Sequence, residues 1–162
     1  MEKEHRHIGT YGILIKNNKL LLIKKKTGPY DGKLDLPGGT IEFNEQPVDT
    51  LKREFMEETG IEITKYELFD ASSVSPIWHY QDMIVKVHHI GIFYKILAYK
   101  NEIKNNILID DVNDDSLGAE FYDISKLTKD NLSDIAILEL EKLGYTLKWY
   151  IITLYFNNQL LH

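Results

Sequence analysis

The order of segments predicts an α/β domain with a mixed β-sheet between helices. Three observations carry this. Short apolar and β-branched segments open the chain, a charged amphipathic helix follows, and a long apolar, aromatic run over Met83–Tyr99 precedes a second helix. At 162 residues and 43% hydrophobic composition, the chain is long enough for one domain with its own core.

Ile8–Ile15 and Leu20–Lys25 read as two strands joined at Asn17 and Asn18, a hairpin signal. Lys24, Lys25 and Lys26 end the second strand; a solvated run is the simplest reading, and contact of one lysine with a phosphate is the functional one. Gly28–Gly32 is a loop by composition. Pro47 suits a first helical turn and Gly60 a left-handed cap, so a helix spans the residues between them. Its Val48, Leu51 and Phe55 follow the spacing of a buried stripe.

Beyond it, Ile61–Val74 reads as a strand pair or one long strand, broken at Ser75 and Pro76. Met83–Tyr99 reads as one or two central strands. His88 and His89 lie within it, but neighbouring strand residues point to opposite faces, so ordinary hydrogen-bonded histidines are expected there. Residues 100–118 are a polar connection, Glu120–Ile124 a short strand, and Ser125 opens a helical turn. Ser133 caps a helix carrying Ile135, Leu138, Leu140 and Leu143, ended by Gly144. The segment 145–162 is apolar and aromatic; it is expected to pack on the 1–144 domain or to form a dimer contact. No internal repeat is present.

The chemistry concentrates on the first helix. Glu57 and Glu58 lie within about 60° of Glu54 on the helical wheel, one turn away. At 5 Å and an effective dielectric near 20, each like-charged pair costs on the order of 3 kcal/mol. A solvated face is the usual meaning of such a run. Here no basic residue follows at i+4, since positions 58, 61 and 62 are Glu, Ile and Glu. A divalent cation among the carboxylates relieves the repulsion, and hard oxygen donors suit Mg²⁺ or Mn²⁺. Arg53 lies on the far side of this acidic stripe from Leu51, where its guanidinium can hold a carboxylate by paired hydrogen bonds.

Gly39, Glu45, Arg53, Glu54, Phe55, Glu57, Glu58, Gly60 and Ile61 together resemble the Nudix box, signature of the Nudix hydrolase family (MutT-like), with every specified position met. The box covers 39–61, and Leu34–Gly39 before it is family-like too. The resemblance implies a Nudix-type α/β/α sandwich over 1–144. It implies a metal set of Glu54, Glu57, Glu58 and the Gly38 carbonyl, with Glu45 in support. One departure is Phe43-Asn44, where many members have glycine before the glutamate; asparagine tolerates the left-handed conformation.

The activity implied is Mg²⁺-dependent pyrophosphohydrolysis of a nucleoside diphosphate linked to another group, a nucleoside triphosphate or nucleotide-sugar, with Mn²⁺ able to substitute. Glu54 or Glu57 is the candidate general base; Asp110, Asp111, Asp114 and Asp115 are candidates from outside the box. The catalytic set is then Glu54, Glu57 and Arg53. A non-catalytic nucleotide-sensing module and an assembly protein are the alternatives. Pro76 stands fifteen positions after Ile61, as in ADP-ribose-type members, while removal of oxidised guanine nucleotides is another option. Trp78 and Tyr80 can stack on a base or sit as strand residues.

The net charge of −6 argues against a nucleic-acid polymer as partner. There is no cysteine for a disulfide or thiol nucleophile. A charged amino terminus without a signal-like core, and no long apolar run, predict a cytoplasmic protein without a membrane partner.

Overall fold

A computed structural model of the chain describes residues 1–104 and 116–150. Strand β1 (Glu2–Ile13) continues after a break into β2 (Ile15–Lys16), which turns back as β3 (Lys19–Lys25). Asn17 and Asn18 sit at φ 52° and 58°, the paired left-handed geometry of a tight hairpin that asparagine tolerates. After a 3-10 turn at Gly28–Tyr30 come β4 (Leu34–Asp35), β5 (Gly38–Thr40) and helix α1 (Pro47–Thr59). Then follow β6 (Glu62–Val74), β7 (Ile77–Tyr80), β8 (Met83–Lys100), β9 (Ser116–Asp123) and helix α2 (Asp134–Lys142).

Two sheets form. The first runs β5-β1-β8-β6, with β7 also on β8; β1 and β8 are parallel and the other pairs antiparallel, so the sheet is mixed. The second joins β2, β3 and β4, with β9 on β3, all antiparallel. Strand β3 is buried on both faces: Leu20 and Leu22 enter the core beneath α2, and Leu21 enters the core beneath α1. That explains its unbroken apolar run, which a half-exposed strand would not need. A core on each side, each closed by one helix, gives the α/β/α layering.

The first strand begins at Glu2 rather than at Ile8. Charged residues Glu2–Arg6 carry little strand signal, but β8 is one 18-residue strand and offers a partner to every residue from Glu2 to Ile13. Satisfied backbone hydrogen bonds override composition there. In α2, Ser133 caps as expected, accepting from Ala136 N at 3.2 Å, while its hydroxyl donates to Asp35 at 2.6 Å. Leu147, past Gly144, is buried in the α2 core, and Lys129 N donates to Lys148 O. Residues 151–162, and the acidic residues 110, 111, 114 and 115, lie outside the described residues. Among the described residues, no helix is long and apolar enough to cross a membrane.

Candidate active site

Helix α1 is seated by Leu51 and Phe55, both fully buried, which commits the neighbouring face to one direction. That face carries Glu54, Glu57 and Glu58, and all three line a cavity of about 710 Å³. Gly60 ends the helix at φ 77°, its N–H bonded to Met56 O, as the sequence predicts.

Strand β5 brings its backbone against the helix. Gly38 N donates to Glu58 Oε2 at 2.8 Å, and Glu58 is only 5% exposed. Gly38 has φ 149°, and a Cβ there would come 2.1 Å from Thr10 O, so no side chain fits. A Cβ on Gly39 would lie 2.6 Å from the Glu54 carboxyl carbon. The two glycines therefore let main chain and carboxylates share one small volume.

Arg53 organises the acidic residues. Its Nε and Nη2 donate to the two oxygens of Glu45 at 2.7 and 2.9 Å. Nη1 donates to Glu54 at 2.7 Å and, more weakly, to Glu57 at 3.4 Å; Nη2 also reaches Thr40 O. The relief that was missing at i+4 thus comes from upstream, where Arg53 precedes Glu57 by one turn. Glu45 also accepts from Thr50 Oγ1 at 2.7 Å, and the Arg53 and Thr50 hydrogen bonds hold its carboxyl at about 2. Asn44 takes φ 65° ahead of it, the left-handed turn expected of asparagine.

Gly38, Arg53, Glu54, Glu57 and Glu58 thus meet at one cavity wall. Of the three lysines, Lys25 lines the cavity; of the two aromatics, Trp78 does, with Tyr80 packed on it at 4.9 Å between ring centroids. His88 is exposed, and His89 is buried facing the cavity, consistent with opposite strand faces. The sequence reading missed His5, His7, Tyr11 and Tyr30, which line the same cavity. Alternation in β1 puts residues 5, 7 and 11 on one face and was the available signal for three of them.

The donor chemistry fits a hard divalent cation: five carboxylates, Asp35 and Glu42 among them, line one cavity, and glycine backbone approaches Glu54 and Glu58 closely. Among the described residues, no three acidic or histidine side chains are already gathered around a single point. The carboxylates are instead held by Arg53 and the Gly38 amide.

The family model for the NUDIX domain matches residues 5–140. The chain belongs to the Nudix hydrolase family. It is 34% identical over 125 residues to the ADP-ribose pyrophosphatase of Methanocaldococcus jannaschii, covering 77% of this chain and 66% of that protein. The chain thus spans just under two thirds of that Nudix relative's length. It is 30% identical to the 8-oxo-dGTP diphosphatase of Proteus vulgaris over 64% of this chain and 86% of that one. In fold it resembles the MutT NUDIX hydrolase of Burkholderia pseudomallei, with TM-score 0.67 and 22% identity over 86% of this chain and 98% of that one.

Proposed function

We propose that this Nudix protein hydrolyses a phosphoric anhydride bond in a small nucleotide-type substrate, a nucleoside diphosphate linked to a further group, with Mg²⁺ as cofactor or Mn²⁺ in its place. The supporting observation is the wall formed by Glu54, Glu57 and Glu58, braced by the Arg53–Glu45 fork, along a cavity sized for a nucleotide. The relatives named above act on substrates of this class by their names.

Glu54, Glu57, Glu58 and the Gly38 carbonyl are the residues that would hold the cation. Bound there, it would offset charge on the anhydride and acidify a water. Arg53 holds Glu45 and Glu54, and the Gly38 amide fixes Glu58, so the carboxylates are kept near one another for the cation to gather. Of the two candidate bases, Glu57 is the less encumbered: its side chain is 59% exposed, and Arg53 reaches it only at 3.4 Å. It is the residue placed to take a proton from an attacking water. On this reading the protein works in the cytoplasm, with neither a nucleic-acid polymer nor a membrane as partner.

Turnover of ADP-ribose, nucleoside triphosphates and dinucleoside polyphosphates, with Mg²⁺ and with chelator, tests the proposal. Chelator-sensitive release from at least one substrate is expected. Binding without turnover by the intact chain would replace hydrolysis with a sensing role.

A further inference from the structure

The cavity also holds a continuous hydrogen-bonded run, beside Gly38, that is distinct from the acidic helix residues. His7 and Tyr11 project from the same face of β1, and His7 pairs in register with His89 on β8. The Tyr11 ring lies back along its strand over Gly9, where a Cβ would come 2.6 Å from the tyrosine oxygen. Its hydroxyl therefore sits between two imidazoles, 2.9 Å from His7 Nε2 and 2.6 Å from His89 Nε2. The other nitrogen of His89 is 3.2 Å from the Tyr30 hydroxyl. Four residues from β1, β8 and the 3-10 turn form one chain, and all four line the cavity.

Such a chain has two coherent polarities. Tyr30 can donate to His89, His89 to Tyr11 and Tyr11 to His7; or every bond can run the other way. A neutral imidazole has one donor and one acceptor nitrogen, so His89 passes either order along but never a mixture. Whichever order holds, the His7 end and the Tyr30 end carry opposite hydrogen-bonding character. Beside this edge stands a face: Trp78 lines the same cavity, and its strand β7 packs against the turn that carries Tyr30.

We propose that His7, Tyr11, His89 and Tyr30, with Trp78, form the subsite that recognises a heteroaromatic base on the substrate. Trp78 supplies the stacking surface, and the two ends of the chain meet the donor and acceptor groups on the edge of the base. Tyr11 is a positioning residue, joining the two ends. The hydroxyls of Tyr11 and Tyr30 and the His89 imidazole suit an uncharged ring, and Glu54, Glu57 and Glu58 in the same cavity are left to the anhydride. The inference rests on the nucleotide-hydrolase reading above and assigns its specificity.

Calorimetric titration, with Mg²⁺ present, of the four ribonucleoside 5′-monophosphates against ribose 5-phosphate tests it, because the last shares sugar and phosphate but lacks the base. The wild type is expected to bind at least one nucleotide fivefold or more tightly than ribose 5-phosphate. Tyr11→Phe and Tyr30→Phe, which keep the rings, are expected to erase most of that preference while ribose 5-phosphate affinity stays within twofold. Trp78→Leu, at a partly exposed position, should do the same and guards against a misfolded buried variant. Base-blind binding by the wild type, or equal losses for all ligands, overturns the subsite and leaves hydrolysis standing. A wild type that binds none of these ligands removes the subsite too, and the turnover experiments then show whether the hydrolase reading falls with it.

Discussion

Arg53 grips Glu45 with two nitrogens at once, at 2.7 and 2.9 Å, across the loop that leads into the acidic helix. The remaining terminal nitrogen holds Glu54. One planar cation therefore ties the loop to the helix face, a task that needs a fork rather than a point charge.

Replacing the fork by a point charge should separate geometry from charge. Arg53→Lys is expected to lower turnover at least tenfold and to cost about 1–3 kcal/mol of stability. Steady-state rates and urea melts check both; unchanged rates would show that the fork is structural only.

Glu57→Gln and Glu58→Gln are each expected to lower turnover at least tenfold without unfolding the protein. Their stabilities should differ. Glu57 is largely exposed, so its loss leaves the melt unchanged, whereas buried Glu58 anchors the Gly38 amide and its loss costs about 1–2 kcal/mol. Wild-type rates from both variants would remove the assigned roles.

Gly39→Ala should injure activity more than stability. The added methyl meets the Glu54 carboxyl, the mobile end of a side chain, and pushes it off its Arg53 contact. At Gly38 the obstacle is main chain at a left-handed φ, so Gly38→Ala should lower the melting temperature clearly. A reversed order of effects would contradict this division.

Burial, with nearby His7 and Lys25, pushes His89 down to about 3, while an unfolded histidine takes its proton near 6.5. The unfolded state then binds more protons between these values. Stability is full above about pH 6.5 and drains as pH falls toward 3, by about 2–3 kcal/mol at pH 4.5. Glu45, held at about 2, loses its contribution only below the usual carboxylate range. Buried Glu139, raised by desolvation, acts in the opposite sense as pH rises. Denaturant titrations from pH 7 to 4.5 should therefore be flatter for His89→Gln than for wild type; parallel slopes would exclude this histidine as the cause.

Leu147 is 7% exposed in the α2 core, so we propose that 145–150 packs on the domain; the rest of the 145–162 segment, with a dimer contact as its alternative, lies outside the described residues. Deletion of 145–162 should remove about 1.5–3 kcal/mol through this side chain alone. It should also change solubility or assembly; light scattering and melting data unchanged from wild type would contradict the proposal.

The acidic helix was legible in the sequence because its information is local. The stripe of Leu51 and Phe55, the proline start, the glycine stop and the glutamate spacing all lie within one segment. The Asn17-Asn18 hairpin was legible for the same reason. The tyrosine–histidine run was not, because Tyr11 and His89 are brought together by pairing between distant strands and Tyr30 reaches them from a turn. Tyr30 lies in a segment whose glycines and proline announce a turn but say nothing of burial, and it is 4% exposed. Charged residues likewise concealed the start of β1, since a partner strand rather than side-chain type makes it extended.

The parallel pairing of β1 with β8 has a kinetic consequence. Residues Glu2–Ile13 hydrogen-bond to a strand that begins at Met83, so the whole intervening chain, α1 included, must be looped out before they meet. Contacts so distant along the chain raise the entropic barrier and slow folding. During synthesis, the helix with its glutamates would emerge long before the strand that carries His89 into the cavity. The ability to bind should therefore appear late in refolding, after most helical signal has recovered.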